Sequence, residues 1–145
     1  MRFLAGSSDE DWALIRRHSE TRRFLPGDVV ISAGESDRAL YIVVDGTLQV
    51  VRSSGFRGRT TEVARTIHPG SVIGEMAFLD GKPRSALVQA VSEAHLMRLS
   101  FDSFEVLAAK DPALARSILL DLGRILADRI RALQRFETGH GAVIE

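Results

Sequence analysis

The sequence predicts an α+β fold, with a β-rich middle flanked by a helical start and a helical end. Three observations predict it. The stretch "SSDEDWALIRRH" opens with Ser7 and Ser8, places Glu10 and Asp11 three residues beyond them, and runs into Trp12 and Ile15. That is a capped helix start. From about Arg23 to Leu99, short apolar runs are broken by Pro-Gly and Asp-Gly pairs, the pattern of a sandwich or barrel. From Ser100 onward the chain reads as two helices.

The elements follow in order. "LPGDVVISAGES" and "IHPGSVIGE" each put a Pro-Gly turn before Val or Ile. "RALYIVVDGTLQVVR" is two apolar runs joined by Asp45-Gly46, which predicts a hairpin whose type I′ turn needs positive φ at both central residues. "SALVQAV" and "AHLMRLS" add two short strands. Ser100 caps a helix through "FDSFEVLAAK". Asp111-Pro112 starts a longer one, with the proline at the first helical position, where a missing N–H costs nothing. The longer helix runs to Gly139. No linker or repeat interrupts the chain, so one domain is expected over 1–145: a helical segment 1–22, a β region 23–99 and helices over 100–139.

Composition excludes several function classes. The formal net charge of the 145 residues is zero, so no overall field advertises nucleic acid or an acidic membrane. The absence of cysteine removes disulfides, thiol catalysis and cysteine zinc sites. No stretch approaches the roughly 20 apolar residues of a membrane span. A cytoplasmic domain is expected. His18, His68, His95 and His140 show no metal-ligand spacing, and no Walker A loop, dinucleotide motif or nucleophile elbow is present. The basic cluster Arg16-Arg17 and Arg22-Arg23 has acidic neighbours and no aromatic platform, so it reads as a solvated helix end and strand start.

One stretch carries chemistry: "GEMAFLDGKPRSALVQA", residues 74–90. Arg84 alone reads as a surface partner of Asp80. Glu75 nine positions earlier, with Gly74 and small residues at 77, 85 and 86, changes that reading. Arg84 can grip two oxygens of an anion through its planar fork and stays charged when buried. The amides of Ser85 and Ala86 can converge on an oxygen. Glu75 repels the same anion and must face a donor, such as a ribose hydroxyl, unless it only caps the short helix "EMAFL". One phosphodiester and one 2′-hydroxyl make up the polar inventory of a 3′,5′-cyclic nucleotide. Met76, Phe78 and Leu79 read as core or pocket wall.

Gly74, Glu75, Ala77, Pro83, Arg84, Ser85, Ala86 and Val88 resemble the phosphate-binding cassette, here 74–88, of cyclic nucleotide-binding domains in catabolite-activator-type regulators, cyclic-nucleotide-dependent kinases and gated channels. The resemblance implies an eight-stranded jelly-roll-like β-barrel with an N-terminal helix and two C-terminal lid helices, and it makes "ALYIVVDGTLQVV" the central hairpin. It implies that Glu75 binds the ribose 2′-hydroxyl, that Arg84 binds the cyclic phosphate, and that Gly74, Met76, Ala77, Ser85 and Ala86 supply close contacts. Members that have lost the ligand commonly lack the Glu/Arg pair; both stand here. Ser85 is similar to the bacterial cyclic AMP binders, so cyclic AMP is expected ahead of cyclic GMP, with no further cofactor, no metal and no catalysis.

Alternatives from other classes are a truncated effector domain of a DNA-binding regulator and a ligand-free barrel used for dimerisation. The stretch "TGHGAVIE" is too short for a helix-turn-helix, so nucleic acid is not expected as a partner of this chain. In the long helix Ile118, Leu122, Ile125, Ala132 and Phe136 share one stripe with Arg129. Arg129 either snorkels along the seam or closes the pocket over the base. The family's lid helix also pairs with its twin, so a homodimer through it and an unknown effector protein are the expected partners.

Overall fold

A strand puts alternate side chains on opposite faces, so the burial pattern along it tells how many faces are covered. The computed structural model describes residues 2–54 and 60–140, with side chains over 2–52 and 62–135. Strand β3 (Ala39–Asp45) is buried over five consecutive residues, whereas β7 (Leu87–Ala90) alternates. The first therefore lies between two layers and the second faces one.

The sheets explain this. One has the order β1-β8-β3-β6, formed by Glu20–Phe24, Ala94–Ser100, Ala39–Asp45 and Val72–Ile73. The other has the order β2-β7-β4-β5, formed by Val29–Ile31, Leu87–Ala90, Leu48–Ser54 and Thr60–Ile67. All pairings are antiparallel. This is the eight-stranded jelly roll expected from the sequence, though the two sheets face each other without closing into one barrel.

Val43, Leu48, Ile73 and Leu96 fill the space between the sheets. A second core lies on the other face of the β1-β8-β3-β6 sheet, where Leu40 and Leu99 meet Phe3, Ile15, Phe78, Leu107, Ile118 and Leu122. The covering helices are α1 (Asp9–Arg17), α2 (Glu75–Asp80), α3 (Phe101–Lys110) and α4 (Pro112–His140). The starts of α1, α3 and α4 are capped as the sequence indicates. Ser8 Oγ accepts from the Asp11 amide, Ser100 Oγ from Ser103 and Asp111 Oδ1 from Leu114. Among the described residues no helix is long and apolar enough to cross a membrane.

The Asp45-Gly46 hairpin is not formed. Both edges of β3 are taken, by β8 and β6, and the chain after Gly46 enters the other sheet as β4. Only Gly46 of the two has positive φ (+89°). A Cβ there would stand 2.3 Å from the Glu93 carbonyl oxygen, so the glycine serves a crossing between sheets. The local signal was a turn signal; pairing was decided by which edges were free.

On α4, Ile118, Leu122 and Ile125 are buried against the body and Arg129 is half-buried. Ala132 is exposed, and the side chain of Phe136 lies outside the described residues. The packed stripe therefore ends near Arg129.

Candidate functional site

Gly74 ends the run from β6 and is the N-cap of α2, in the left-handed region at φ +78°. It must be glycine for a second reason as well. A Cβ here would lie 2.3 Å from Arg84 Nη1. Arg84 passes over this residue, and its Nη1 donates to the Gly74 carbonyl at 3.0 Å. Nη2 donates to the Ala39 carbonyl at 2.8 Å and to Asp37 Oδ2 at 3.4 Å. The side chain is 2% exposed. Among the described residues its Nε–H is buried without a partner. An unpartnered buried N–H costs about 1–3 kcal/mol, so a donor left over on a charged group marks where an acceptor belongs.

The main chain fixes Arg84 too. Its N–H donates to the Glu35 carbonyl and its carbonyl accepts from Gly34, both at 2.8 Å. The same loop supplies Asp37, whose Oδ1 accepts from Arg98 on β8. Asp37 thus joins two arginines, and hydrogen bonding to Asp37 raises the Arg98 pKa against the opposing effect of burial. Asp80, the partner weighed from the sequence, instead accepts the Lys82 amide at 2.9 Å. Arg38 closes the far end of α2, donating to the carbonyls of Phe78 and Leu79 while lying 3.5 Å from the Phe101 ring centroid.

Glu75 is the first residue of α2 and is buried. Its carboxylate forms an ion pair with Arg129, which also donates to the Val72 carbonyl at 3.4 Å. Burial first, and then the neighbouring Arg65 guanidinium, pull the Arg129 pKa down to about 10. At about 10 the guanidinium stays protonated at neutral pH. The structure therefore brings Gly74, Glu75, Arg84 and Arg129 together. Ala77 is buried beneath them, Ala86 packs against the inter-sheet core, Ser85 is exposed and Met76 is 43% exposed.

A match over residues 21–111 to the family model described as the cyclic nucleotide-binding domain decides the kinship. The chain belongs to the cyclic nucleotide-binding domain family. It is 33% identical over 130 residues to glutaminase 2 of Bradyrhizobium diazoefficiens, covering 90% of this chain and 20% of that protein. It is 29% identical over 127 residues to the cyclic AMP receptor protein of Thermus thermophilus, covering 87% of this chain and 56% of that one. The chain thus spans a fifth and about half of these relatives' lengths. A crystal structure of a cyclic nucleotide-binding domain from Methylobacillus flagellatus superposes with a TM-score of 0.83 at 23% identity, over 99% of this chain and 81% of that one.

Within this cyclic nucleotide-binding fold the sequence missed Asp37, Arg98 and Arg65. Asp37 had one signal, a charged pair with Arg38 immediately before the apolar run of β3. Arg65 could be found only from register. It stands opposite Val50, two residues along from the buried Leu48–Ile67 pair, so it shares their inward face. A bulge between Val50 and Val51 shifts the pairing, and no sequence pattern shows that.

Proposed function

We propose that this chain binds a cyclic purine nucleotide reversibly, cyclic AMP before cyclic GMP, as a regulatory and not a catalytic domain. The observation that carries the reading is the buried Arg84 guanidinium, whose η nitrogens are held by protein acceptors while Nε–H has none. A phosphodiester oxygen fits that donor, because it accepts without bringing a proton of its own. Glu75 takes the ribose 2′-hydroxyl, and Gly74, Met76, Ala77, Ser85 and Ala86 line the approach. Arg129 closes from α4. No side chain of the set is placed to activate water. A domain over 1–145 in the cytoplasm, signalling through α4 to a second copy or an effector, completes the reading.

The test is isothermal titration with cyclic AMP, cyclic GMP and 5′-AMP. Micromolar or tighter binding of cyclic AMP is expected, about 8 kcal/mol or more, with cyclic GMP weaker and 5′-AMP weaker still. Equal or absent binding of all three rejects the proposal.

A further inference from the structure

On the helix-bearing face of the β1-β8-β3-β6 sheet, α1 and the N-terminal arm cover the strands incompletely. A cavity of about 370 Å³ is left there, and none of Gly74, Glu75, Arg84 or Arg129 lines it. Its walls are apolar at Phe3, Trp12, Val44 and Met97. Phe3 and Trp12 meet edge-on with centroids 6.3 Å apart. Val44 is 54% exposed and marks the opening, at a bulge between Val43 and Asp45. Two arginines, Arg2 and Arg16, also line the cavity. Arg2 lies across Gly70, where a Cβ would come within 2.9 Å of its Nε. Among the described residues neither guanidinium has a hydrogen-bond or ion-pair partner.

Among the described residues no acidic residue lines the cavity. His95 stands at the cavity with Asp45 and Glu93 each 3.8 Å from its ring, and Glu93 is held by Arg23 at 2.6 Å. Ligand pockets of about 300–1,000 Å³ combine an apolar lining with a few charged groups, and this cavity has that make-up at the small end.

We propose that the cavity is a second binding site, for a small organic anion with an apolar body, of the medium-chain acyl or aryl carboxylate kind. The body lies against Phe3, Trp12, Val44 and Met97, and Arg2 and Arg16 hold the carboxylate by charge-assisted hydrogen bonds. The occupant touches the arm whose Phe3 amide donates to the Gly70 carbonyl and whose Leu4 amide donates to Asp121 on α4. The site stands independently of any nucleotide.

Trp12 is the chain's one tryptophan, so its emission reports occupancy. The probes are sodium octanoate, octylamine and 1-octanol. Octanoate is expected to saturate the signal with a midpoint about tenfold below that of octylamine. Arg2→Ala/Arg16→Ala, with its melting temperature checked, raises the octanoate midpoint about tenfold and leaves that of octanol within about twofold. Arg16→Ala alone, at an exposed position, raises it about threefold and serves if the double variant is unstable. No saturation by octanoate, equal midpoints for the three probes, or unchanged octanoate binding in the folded variants overturns the proposal.

Discussion

Arg129 on α4 ion-pairs with Glu75 at the start of α2, so the long helix reaches the cassette through one charged side chain. The pair is mostly dry, with Glu75 6% and Arg129 28% exposed. A buried pair adds little net stability over an apolar replacement, but removing one partner strands the other charge. The consequence is energetic coupling between two elements far apart in the chain.

That coupling is measurable in urea melts. Arg129→Ala is expected to cost about 1–3 kcal/mol, less than the 3–5 of a fully buried pair because the arginine keeps some water. Arg129→Ala/Glu75→Gln should recover more than half of that loss, since no carboxylate is then left unpaired. Strictly additive single effects would show that the contact carries no energy.

Arg84 gives the largest expected effect on ligand. Arg84→Leu should weaken cyclic AMP binding by about 2–5 kcal/mol, part of it the cost of leaving the phosphate unpaired. Arg84 also ties Gly74, Ala39 and Asp37 together, so this variant can lose stability as well. Asp37→Asn separates the two roles. It keeps the shape and removes the charge that steadies Arg84, and about a tenfold loss of affinity with an unchanged fold is expected. Titration of a folded Arg84→Leu protein with wild-type affinity would sink the assignment.

Gly74, Glu75 and Arg84 were legible because their chemistry is local: a glycine, a carboxylate and an arginine on one short stretch. The helices were legible for the same reason, since Ser8, Ser100 and Asp111 cap within three residues of themselves. What failed was pairing at a distance. Asp45-Gly46 predicted a hairpin, yet β3 and β4 lie in different sheets, because β8 returns from more than 40 residues away to take the edge of β3. Asp37 and Arg65 were missed on the same ground. Each matters through a partner that the fold supplies and the neighbouring sequence does not.

The sugar is tested by 2′-deoxy cyclic AMP. Hydrogen bonds to charged groups contribute about 1.5–3 kcal/mol, and the deoxy ligand should bind worse by that amount if Glu75 accepts from the 2′-hydroxyl. In this structure the carboxylate is shared with Arg129, which draws on the same oxygens and pushes the value toward the lower end. Glu75→Gln should narrow the gap between the two ligands. Wild-type protein that treats ribose and deoxyribose alike contradicts the role given to Glu75.

The long helix has two faces, and truncation separates what each does. Leu114, Ala115, Ile118, Leu122 and Ile125 are its members of the helix-side core, and among the described residues that core has no member beyond Ile125. A chain ending before Leu126 keeps all of them and should stay folded, with a melting temperature lowered by about the same margin as in Arg129→Ala. It loses Arg129, and with it the contact to Glu75, so nucleotide affinity should fall by roughly tenfold. The outward face carries Leu120, Gly123, Ala127 and Ile130, all exposed and at alternating spacings of three and four. That is a seam fit for a twin helix, with small residues that let the backbones approach. Ile130→Asp in the full chain should therefore abolish a light-scattering dimer while leaving nucleotide binding near wild type, whereas the truncation should abolish both the dimer and the tight binding. If the truncated protein binds as tightly as the full chain, α4 is not a lid. If Ile130→Asp leaves the dimer intact, its partner face lies elsewhere.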